Sequence, residues 1–163
     1  MDTVAAKSNE HLLGTDEATL DDKGRILVSK KKRERLGEAF TVALGTTGCL
    51  VAYPEPVWNE LVNSVLRLDP TNLGREMYMR LVLGQADDEL KFDAQGRVVI
   101  PSRLRELAGI KDKSQVLLVG CGDRLEIWAK EEYGSYLKNP ETYGSARREE
   151  ILKAKRLMKE DTL

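Results

Sequence analysis

The 163-residue chain has very few of the residues from which catalytic and metal sites are built. It contains one histidine, His11, and two cysteines, Cys49 and Cys121. Neither cysteine has a nearby base or a second ligand motif, so the sequence offers no Cys–His pair to activate a nucleophile and no zinc site. It also contains no P-loop and no G-x-G-x-x-G phosphate cradle. We therefore predict no enzymatic activity, no metal, no cofactor and no small-molecule substrate.

The chain also lacks long apolar runs and a charge excess. No segment reaches the length of a membrane span, and residues 1–10 have no hydrophobic core of the kind found in signal peptides. Two cysteines are too few for a disulfide framework, which favours reduced thiols in a cytoplasmic protein. The 26 basic and 27 acidic residues give a net charge of −1. Such a balance does not indicate nucleic-acid binding, so that function would have to rest on local clustering of charge.

What the chain does contain is a duplicated segment. Leu20–Gly37, the first copy, aligns without a gap with Phe92–Gly109, the second copy, and six of the eighteen positions are identical. Each copy has an Asp-x-x-Gly-Arg sequence, at residues 21–25 and 93–97, followed by three apolar residues. Each then enters a short basic stretch that ends at a glycine. The duplication indicates two equivalent sites on one pseudo-symmetric scaffold.

The pattern around the two copies predicts an α+β fold. Short apolar runs bounded by glycine are typical of strands, and each copy predicts the order strand, turn, strand, short helix, strand, tight turn, strand, helix. We expect a disordered tail over residues 1–11, a first repeat over 12–58, a helical insert over 59–84 and a second repeat over 85–133. We expect a charged helix or tail over 134–163. Because that helix has little apolar surface, we expect it to fray or to dock on a neighbouring subunit.

The residues of the duplicated turn suggest separate roles. We expect the Asp21 carboxylate to accept hydrogen bonds from backbone N–H groups, and Gly24 to supply the positive φ that closes the turn. Arg25 would then leave the turn at a fixed angle, held by an ion pair with Asp21. A fixed guanidinium suits bidentate contact with phosphate or with the O6 and N7 atoms of guanine. The same roles are predicted in the second copy for Asp93, Gly96 and Arg97.

Basic residues cluster around the first turn. Residues 21–37 carry a net charge of +4 in a chain whose total is −1. Such a cluster would attract a phosphate backbone, although a charge run alone more often marks a solvated helix face. The interpretation as a DNA-binding surface therefore depends on the duplicated turns. The predicted phosphate contacts are Lys23, Lys30, Lys31, Arg33, Arg103 and Arg105.

At these residues the chain resembles the MraZ family of bacterial transcriptional regulators, within the AbrB/SpoVT/MazE superfamily. The resemblance covers roughly Leu12–Tyr133 and includes Arg80–Gly84 of the insert. It is carried by Leu-Asp-Asp-Lys-Gly-Arg-Ile, by Asp-Ala-Gln-Gly-Arg-Val-Val-Ile-Pro and by Leu-Arg-Glu-Leu-Ala-Gly-Ile. Two such turns at this spacing are far more specific than one.

The resemblance implies a double-split, swapped-hairpin β-barrel built from tandem repeats, with short helices, which assembles into a ring-shaped homo-oligomer. It also implies a cytoplasmic, nucleoid-associated repressor that binds short direct repeats in double-stranded DNA, upstream of a division and cell-wall gene cluster that includes its own gene. Arg25 and Arg97 are the DNA-contacting candidates that it implies.

The first copy departs from the family pattern in its helix. Ser29 stands where the family usually has proline, and Lys32 stands where the second copy has Leu104. With so little apolar surface, this helix is expected to pack poorly and to be more available to DNA. An antitoxin-like or scaffold module that binds another protein remains the alternative function.

Overall fold

The computed structural model describes residues 11–141, 143 and 146–160. The predicted disordered tail, residues 1–11, lies outside the described residues except for His11. Within the described ranges the chain forms seven strands, six α-helices and one short 3-10 helix, which confirms the α+β class. None of these helices is long and apolar enough to cross a membrane.

The strands and helices follow the predicted order closely. The strands are β1 (Leu12–Thr19), β2 (Arg25–Leu27), β3 (Phe40–Leu44), β4 (Leu50–Pro54), β5 (Arg97–Val99), β6 (Gln115–Gly122) and β7 (Leu125–Ala129). The helices are α1 (Lys30–Leu36), α2 (Glu55–Leu66), α3 (Leu73–Leu81), α4 (Ser102–Leu107), α5 (Lys130–Lys138) and α6 (Ala146–Lys159), with the 3-10 helix at Leu83–Gln85.

Strands from both halves of the chain share two antiparallel sheets. The larger sheet has the order β1-β6-β7-β4-β3, and β2 pairs with β5 in a two-stranded sheet that we call the ribbon. The larger sheet is open, because β1 and β3 each have one neighbouring strand. The described strands therefore do not form the closed barrel that the resemblance implied.

The segment before the second turn does not form the predicted strand. Asp87 exchanges two backbone hydrogen bonds with Val42 of β3, at 3.0 and 2.9 Å, and this is an isolated bridge. The Asp87 carboxylate then accepts the N–H of Glu89 at 2.9 Å. Such an Asx turn competes with the strand ladder, so the pairing ends after one residue.

The ribbon is anchored to the main hydrophobic core by its central residues. Ile26 and Val98 are 1% and 4% exposed and belong to the same core cluster as Leu118 and Ile127 of the larger sheet. Side chains alternate between the two faces of a strand, so burial of the central pair turns the flanking residues outward. The ribbon thus has one core face and one solvent face.

Helix α1 is better packed than its charged sequence predicted. Leu36 is buried, and Lys32 is only 5% exposed. The Lys32 Nζ donates to Asp16 Oδ2 of β1 at 2.6 Å, so the buried ammonium is paired. A buried charge is tolerated when it is paired in this way. The expectation of a poorly packed helix is therefore wrong at this residue, whereas the greater availability of the helix to DNA stays a prediction.

The C-terminal helix docks on its own chain. Ile151 and Ala154 of α6 are completely buried, and the Asn72 amide donates to the Leu157 carbonyl at 3.1 Å. Gly74 of α3 allows close approach, because a Cβ at this position would lie 2.5 Å from the Met158 nitrogen. The expectation that this helix frays or docks on a neighbouring subunit is therefore corrected.

Candidate nucleic-acid interface

The first Asp-x-x-Gly-Arg turn is held by one carboxylate. Asp21 Oδ1 accepts the backbone N–H groups of Lys23 and Arg25 at 2.9 and 2.8 Å. Its Oδ2 accepts Arg25 Nε at 2.6 Å. Gly24 has a φ of 76° and donates its N–H to the Asp21 carbonyl at 3.1 Å. Asp21 therefore shapes the turn and also fixes the arginine that leaves it.

The second turn repeats this geometry atom for atom. Asp93 Oδ1 accepts the N–H groups of Gln95 and Arg97, both at 2.9 Å, and Oδ2 accepts Arg97 Nε at 3.0 Å. Gly96 has a φ of 83° and donates to the Asp93 carbonyl at 3.0 Å. The positions that differ between the two turns, such as Gln95 for Lys23, contribute only backbone groups.

These contacts also favour the ionised form of both carboxylates. At Asp21, partial loss of solvent raises the pKa, but hydrogen bonds from the N–H and Nε of Arg25 and from the N–H of Lys23 outweigh it, so the pKa is lowered. At Asp93 the N–H of Arg97 is the main cause of a lowered pKa. A carboxylate that accepts several N–H groups is stabilised as the anion. Each arginine is therefore held by a charged acceptor.

The ribbon joins the two turns with a pseudo-two-fold symmetry. Arg25 lies opposite Val99, and Leu27 lies opposite Arg97, with the pair Ile26–Val98 at the centre. The two arginines are therefore diagonal neighbours on the same face of the ribbon. Their side chains are 24% and 31% exposed.

The backbone around the ribbon follows the same symmetry. Val28 donates its N–H to the Gly96 carbonyl at 3.1 Å, and Ile100 donates to the Gly24 carbonyl at 2.9 Å. The turn of each copy thus accepts a hydrogen bond from the strand end of the other copy. Arg25 and Arg97 therefore belong to one hydrogen-bonded unit.

Arg33 and Arg105, both predicted to contact phosphate, lie beside the turns of the opposite copy. Arg33 Nη1 donates to the Val28 carbonyl at 3.0 Å, and Arg105 Nε donates to the Ile100 carbonyl at 2.9 Å. The Arg105 guanidinium would be 3.1 Å from a Cβ at Gly24. It also forms an ion pair with Asp112. Both arginines are partly buried. Arg33 and Arg105 therefore lie beside the ribbon and also make contacts within the fold.

The remaining predicted phosphate contacts are more exposed. Lys23, Lys30 and Lys31 are exposed, and the nearest carboxylate to Lys30 Nζ is that of Glu34 at 3.9 Å. Arg103 is half exposed. Its Nη2 lies 3.7 Å from the Oδ2 atom of Asp87, a residue of the segment before the second turn. The three lysines therefore have the freedom to reach a phosphate, whereas Arg103 would first have to release the Gln85 carbonyl, to which its Nη2 donates at 3.4 Å.

Two residues of this site were missed by the sequence reasoning. Leu27 and Val99, on the solvent face of the ribbon, are 57% and 48% exposed. Period-two alternation from Arg25 and Arg97 contains this information, because the residue two positions after an outward arginine also points outward. The sequence reasoning treated all three apolar residues after each arginine alike.

The comparison with known proteins finds one family over most of the chain. The family described as "MraZ protein, putative antitoxin-like" matches twice in tandem, over residues 11–80 and 83–154. The chain belongs to the MraZ family. This membership confirms the resemblance found in the sequence, and the tandem match agrees with the duplicated turns.

Curated members of the MraZ family are similar to the chain over most of its length. A transcriptional regulator MraZ from Chromobacterium violaceum is 43% identical over 126 residues, which are 75% of this chain and 83% of that protein. Those of Lachnoclostridium phytofermentans and Halothermothrix orenii are 39% and 34% identical, over 76% and 79% of this chain and 84% and 88% of theirs. All three carry the name of a transcriptional regulator.

Proposed function

We propose that this protein is a transcriptional regulator that binds double-stranded DNA by inserting the β2–β5 ribbon into the major groove. The observation that carries the proposal is the pair of aspartate-held arginines, diagonal to each other on the solvent face of the ribbon. The major groove of B-DNA is wide enough to admit a two-stranded ribbon of this kind. The name carried by the relatives supports the same function.

The arginines are prepared for bidentate contact. Asp21 and Asp93 occupy the Nε groups of Arg25 and Arg97, whereas within the described part of the chain Nη1 and Nη2 have no hydrogen-bond partner. Two outward N–H donors match the O6 and N7 acceptors of guanine. Because the side chains are already fixed, less conformational entropy is lost when they bind.

One ribbon reads only a short site. Diagonal neighbours in an antiparallel pair lie about 7–8 Å apart, which is about two steps along a strand that rises about 3.4 Å per nucleotide. We therefore propose that Arg25 and Arg97 read guanines about two base pairs apart. A ring-shaped homo-oligomer would present several ribbons to repeated operators and raise their effective concentration.

Phosphate contacts would set the register of the ribbon on the duplex. Lys23, Lys30, Lys31 and Arg103 are exposed enough to act in this way, and they carry no sequence information themselves. Arg33 and Arg105 stay predicted phosphate contacts, and each also supports the turn of the opposite copy.

The wider biological role remains as the sequence predicts it. We propose a cytoplasmic, nucleoid-associated repressor that binds short direct repeats upstream of a division and cell-wall gene cluster, its own gene included. The same proposal includes the swapped-hairpin arrangement and the division of the chain into tandem repeats (12–58 and 85–133), an insert (59–84) and a C-terminal region (134–163). Pairing of β2 with β5 and of β4 with β7 supports that arrangement, because both pairs join different repeats.

The alternative is an antitoxin-like or scaffold protein, and the family description keeps it open. A partner-wrapping function would use a free C-terminal segment. Here Ile151 and Ala154 of α6 are buried against the chain's own core. This packing favours the DNA-binding function over a tail that captures a protein.

A fluorescence anisotropy titration tests the proposal. The probe is a short duplex selected by the protein itself from a pool of random sequences. Replacement of Arg25 or Arg97 by alanine should cost about 1–3 kcal/mol of binding free energy each and relax the base preference at one position. Replacement of Lys30 or Lys31 should weaken all duplexes equally and reduce the salt slope by about 1.

Arg80→Ala is the matched control, since this arginine is 75% exposed and lies on α3, away from the turns in sequence. Thermal unfolding would verify that each variant is folded. Unchanged affinity and salt slope in the Arg25→Ala/Arg97→Ala double variant would contradict the mechanism.

A further inference from the structure

The solvent face of the ribbon carries two aliphatic side chains between its arginines. Leu27 and Val99 are 57% and 48% exposed, although they flank the buried pair Ile26–Val98. A single exposed aliphatic residue needs no explanation. Two of them, related by the pseudo-two-fold symmetry and each directly opposite an arginine, form a small apolar patch with cations on both sides. Larger apolar patches with polar rims mark binding surfaces, and this pair has the same arrangement on a small scale.

Stability of the fold does not account for this patch. Ile26 and Val98 already supply the core contacts of the ribbon, and they are 1% and 4% exposed. Threonine, which is β-branched and polar, is also enriched in strands. The aliphatic residues therefore require a reason on the solvent side of the ribbon.

Only one major-groove group of a base pair suits an aliphatic partner. Guanine, cytosine and adenine present hydrogen-bond donors and acceptors, whereas thymine also presents its C5-methyl group. Burying a donor or an acceptor against an aliphatic side chain without a partner costs free energy. Burying a methyl group against it gains free energy.

We propose that Leu27 and Val99 recognise thymine C5-methyl groups, and that each ribbon therefore reads thymines next to the guanines read by Arg25 and Arg97. The inference rests on the proposed insertion of the ribbon into the major groove. Val99 lies directly opposite Arg25, and Leu27 lies directly opposite Arg97. The Cβ atoms of such pairs are about 4.5–5.5 Å apart, comparable with the rise between successive bases. Each arginine–aliphatic pair thus spans neighbouring base pairs.

Replacement of thymine by uracil tests the interaction directly, because uracil keeps the base pairing and removes only the methyl group. The probe is the duplex selected by the protein, prepared once with thymine and once with uracil. Each recognised methyl group that is missing from the uracil duplex should weaken the binding of wild-type protein about fourfold. This factor corresponds to the free energy of burying one methylene group.

The variants Leu27→Ala and Val99→Ala separate side-chain recognition from DNA shape. Each variant should bind the thymine duplex about fourfold more weakly than wild type does. Each should still prefer the thymine duplex to the uracil duplex, but only by the fourfold factor of the one methyl group that it still recognises. The double variant should bind the thymine and uracil duplexes equally. Leu73→Ala is the matched control, since Leu73 is 66% exposed on α3, and it should discriminate as wild type does.

Two outcomes would overturn the inference while leaving the DNA-binding function intact. One is equal affinity of the wild type for both duplexes. The other is discrimination that persists in the Leu27→Ala/Val99→Ala double variant, which would assign it to the shape of the uracil duplex. Absence of any duplex binding by wild type would instead overturn the proposed function itself. The three results are distinguishable in the same titrations.

Discussion

The guanidinium of Arg33, on helix α1, occupies the space that a Cβ at Gly96 would need in the turn of the second copy. Arg105 has the reciprocal position beside Gly24. Each Asp-x-x-Gly-Arg turn is therefore supported by the helix of the opposite copy. The two turns are coupled through these arginines as well as through the ribbon.

Gly96→Ala should destabilise the protein more than a positive φ alone explains. The φ of 83° costs an L-residue about 1–2 kcal/mol, and the new methyl group would also displace the Arg33 guanidinium, whose Nη1 donates to the Val28 carbonyl at 3.0 Å. We expect a total loss of at least about 2 kcal/mol in the free energy of unfolding, measured by urea denaturation.

Gly122→Ala is the matched control for this prediction. Its φ is 85°, and no atom lies within 4 Å of an added Cβ, so only the conformational cost applies. In an Arg33→Ala background, Gly96→Ala should cost no more than Gly122→Ala does. An equal cost of Gly96→Ala with and without Arg33 would show that the two residues are not coupled.

Lys32→Leu should leave the stability unchanged or raise it, by up to about 1–4 kcal/mol, because a buried ion pair is often no better than an apolar residue of similar volume. The second copy already has a leucine, Leu104, at the equivalent position, and it is completely buried. Asp16→Asn in the wild-type background should instead lower the free energy of unfolding by about 1–3 kcal/mol, because Lys32 is then buried without a charged partner. The loss is moderate because Asp16 is half exposed, so that water screens this site.

A double-mutant cycle checks this explanation by urea denaturation. Asp16→Asn should cost almost nothing once Lys32 has become leucine. If the cost of Asp16→Asn were the same in both backgrounds, the ion pair would not be the reason for the burial of Lys32.

Acidification should destabilise the protein partly through the two turns. The pKa values of Asp21 and Asp93 are lowered from 3.8 in the folded state, so their contribution is present above this pH and is lost as the pH falls through the folded-state values. We expect Asp21→Asn/Asp93→Asn to flatten the stability profile from about pH 5 to about pH 2. Asp69 and Asp123, whose pKa values are also lowered, leave a residual slope.

A double variant whose stability falls with acid as steeply as that of the wild type would refute the prediction.

Gly74→Val should separate helices α3 and α6. The larger side chain would meet the backbone of α6, where even a Cβ would lie 2.5 Å from the Met158 nitrogen. Overpacking of this kind costs about 1–3 kcal/mol, and hydrogen exchange of residues 146–160 should become faster. Gly134→Ala in α5 has open space and should instead stabilise by about 0.5–1 kcal/mol. Unchanged protection of α6 in Gly74→Val would contradict the packing.

Sequence reasoning recovered most of the local structure of the site. The carboxylate of Asp21 accepts the predicted N–H groups, and Gly24 has the predicted positive φ. These features depend on interactions over at most four residues, which a sequence pattern contains. The missing strand before the second turn shows the limit of that pattern, because the Asx turn at Asp87 ended a pairing that the similarity of the two copies predicted.

Long-range relationships needed the tertiary structure. No sequence pattern indicates that Arg33 lies against Gly96, that Lys32 pairs with Asp16, or that α6 packs on α3 of the same chain. Each of these contacts depends on the path of the chain between distant segments and on the space left by other side chains.

By itself, the sequence determined the two turns and their arginines, because residue type and short spacing control hydrogen bonds within a turn. Tertiary structure decided that the two turns form one ribbon, with Arg25 opposite Val99 and Leu27 opposite Arg97. That register arises from burial of Ile26 and Val98 in a core shared by both halves of the chain. The same burial turned Leu27 and Val99 outward, beside the arginines that we propose to read DNA.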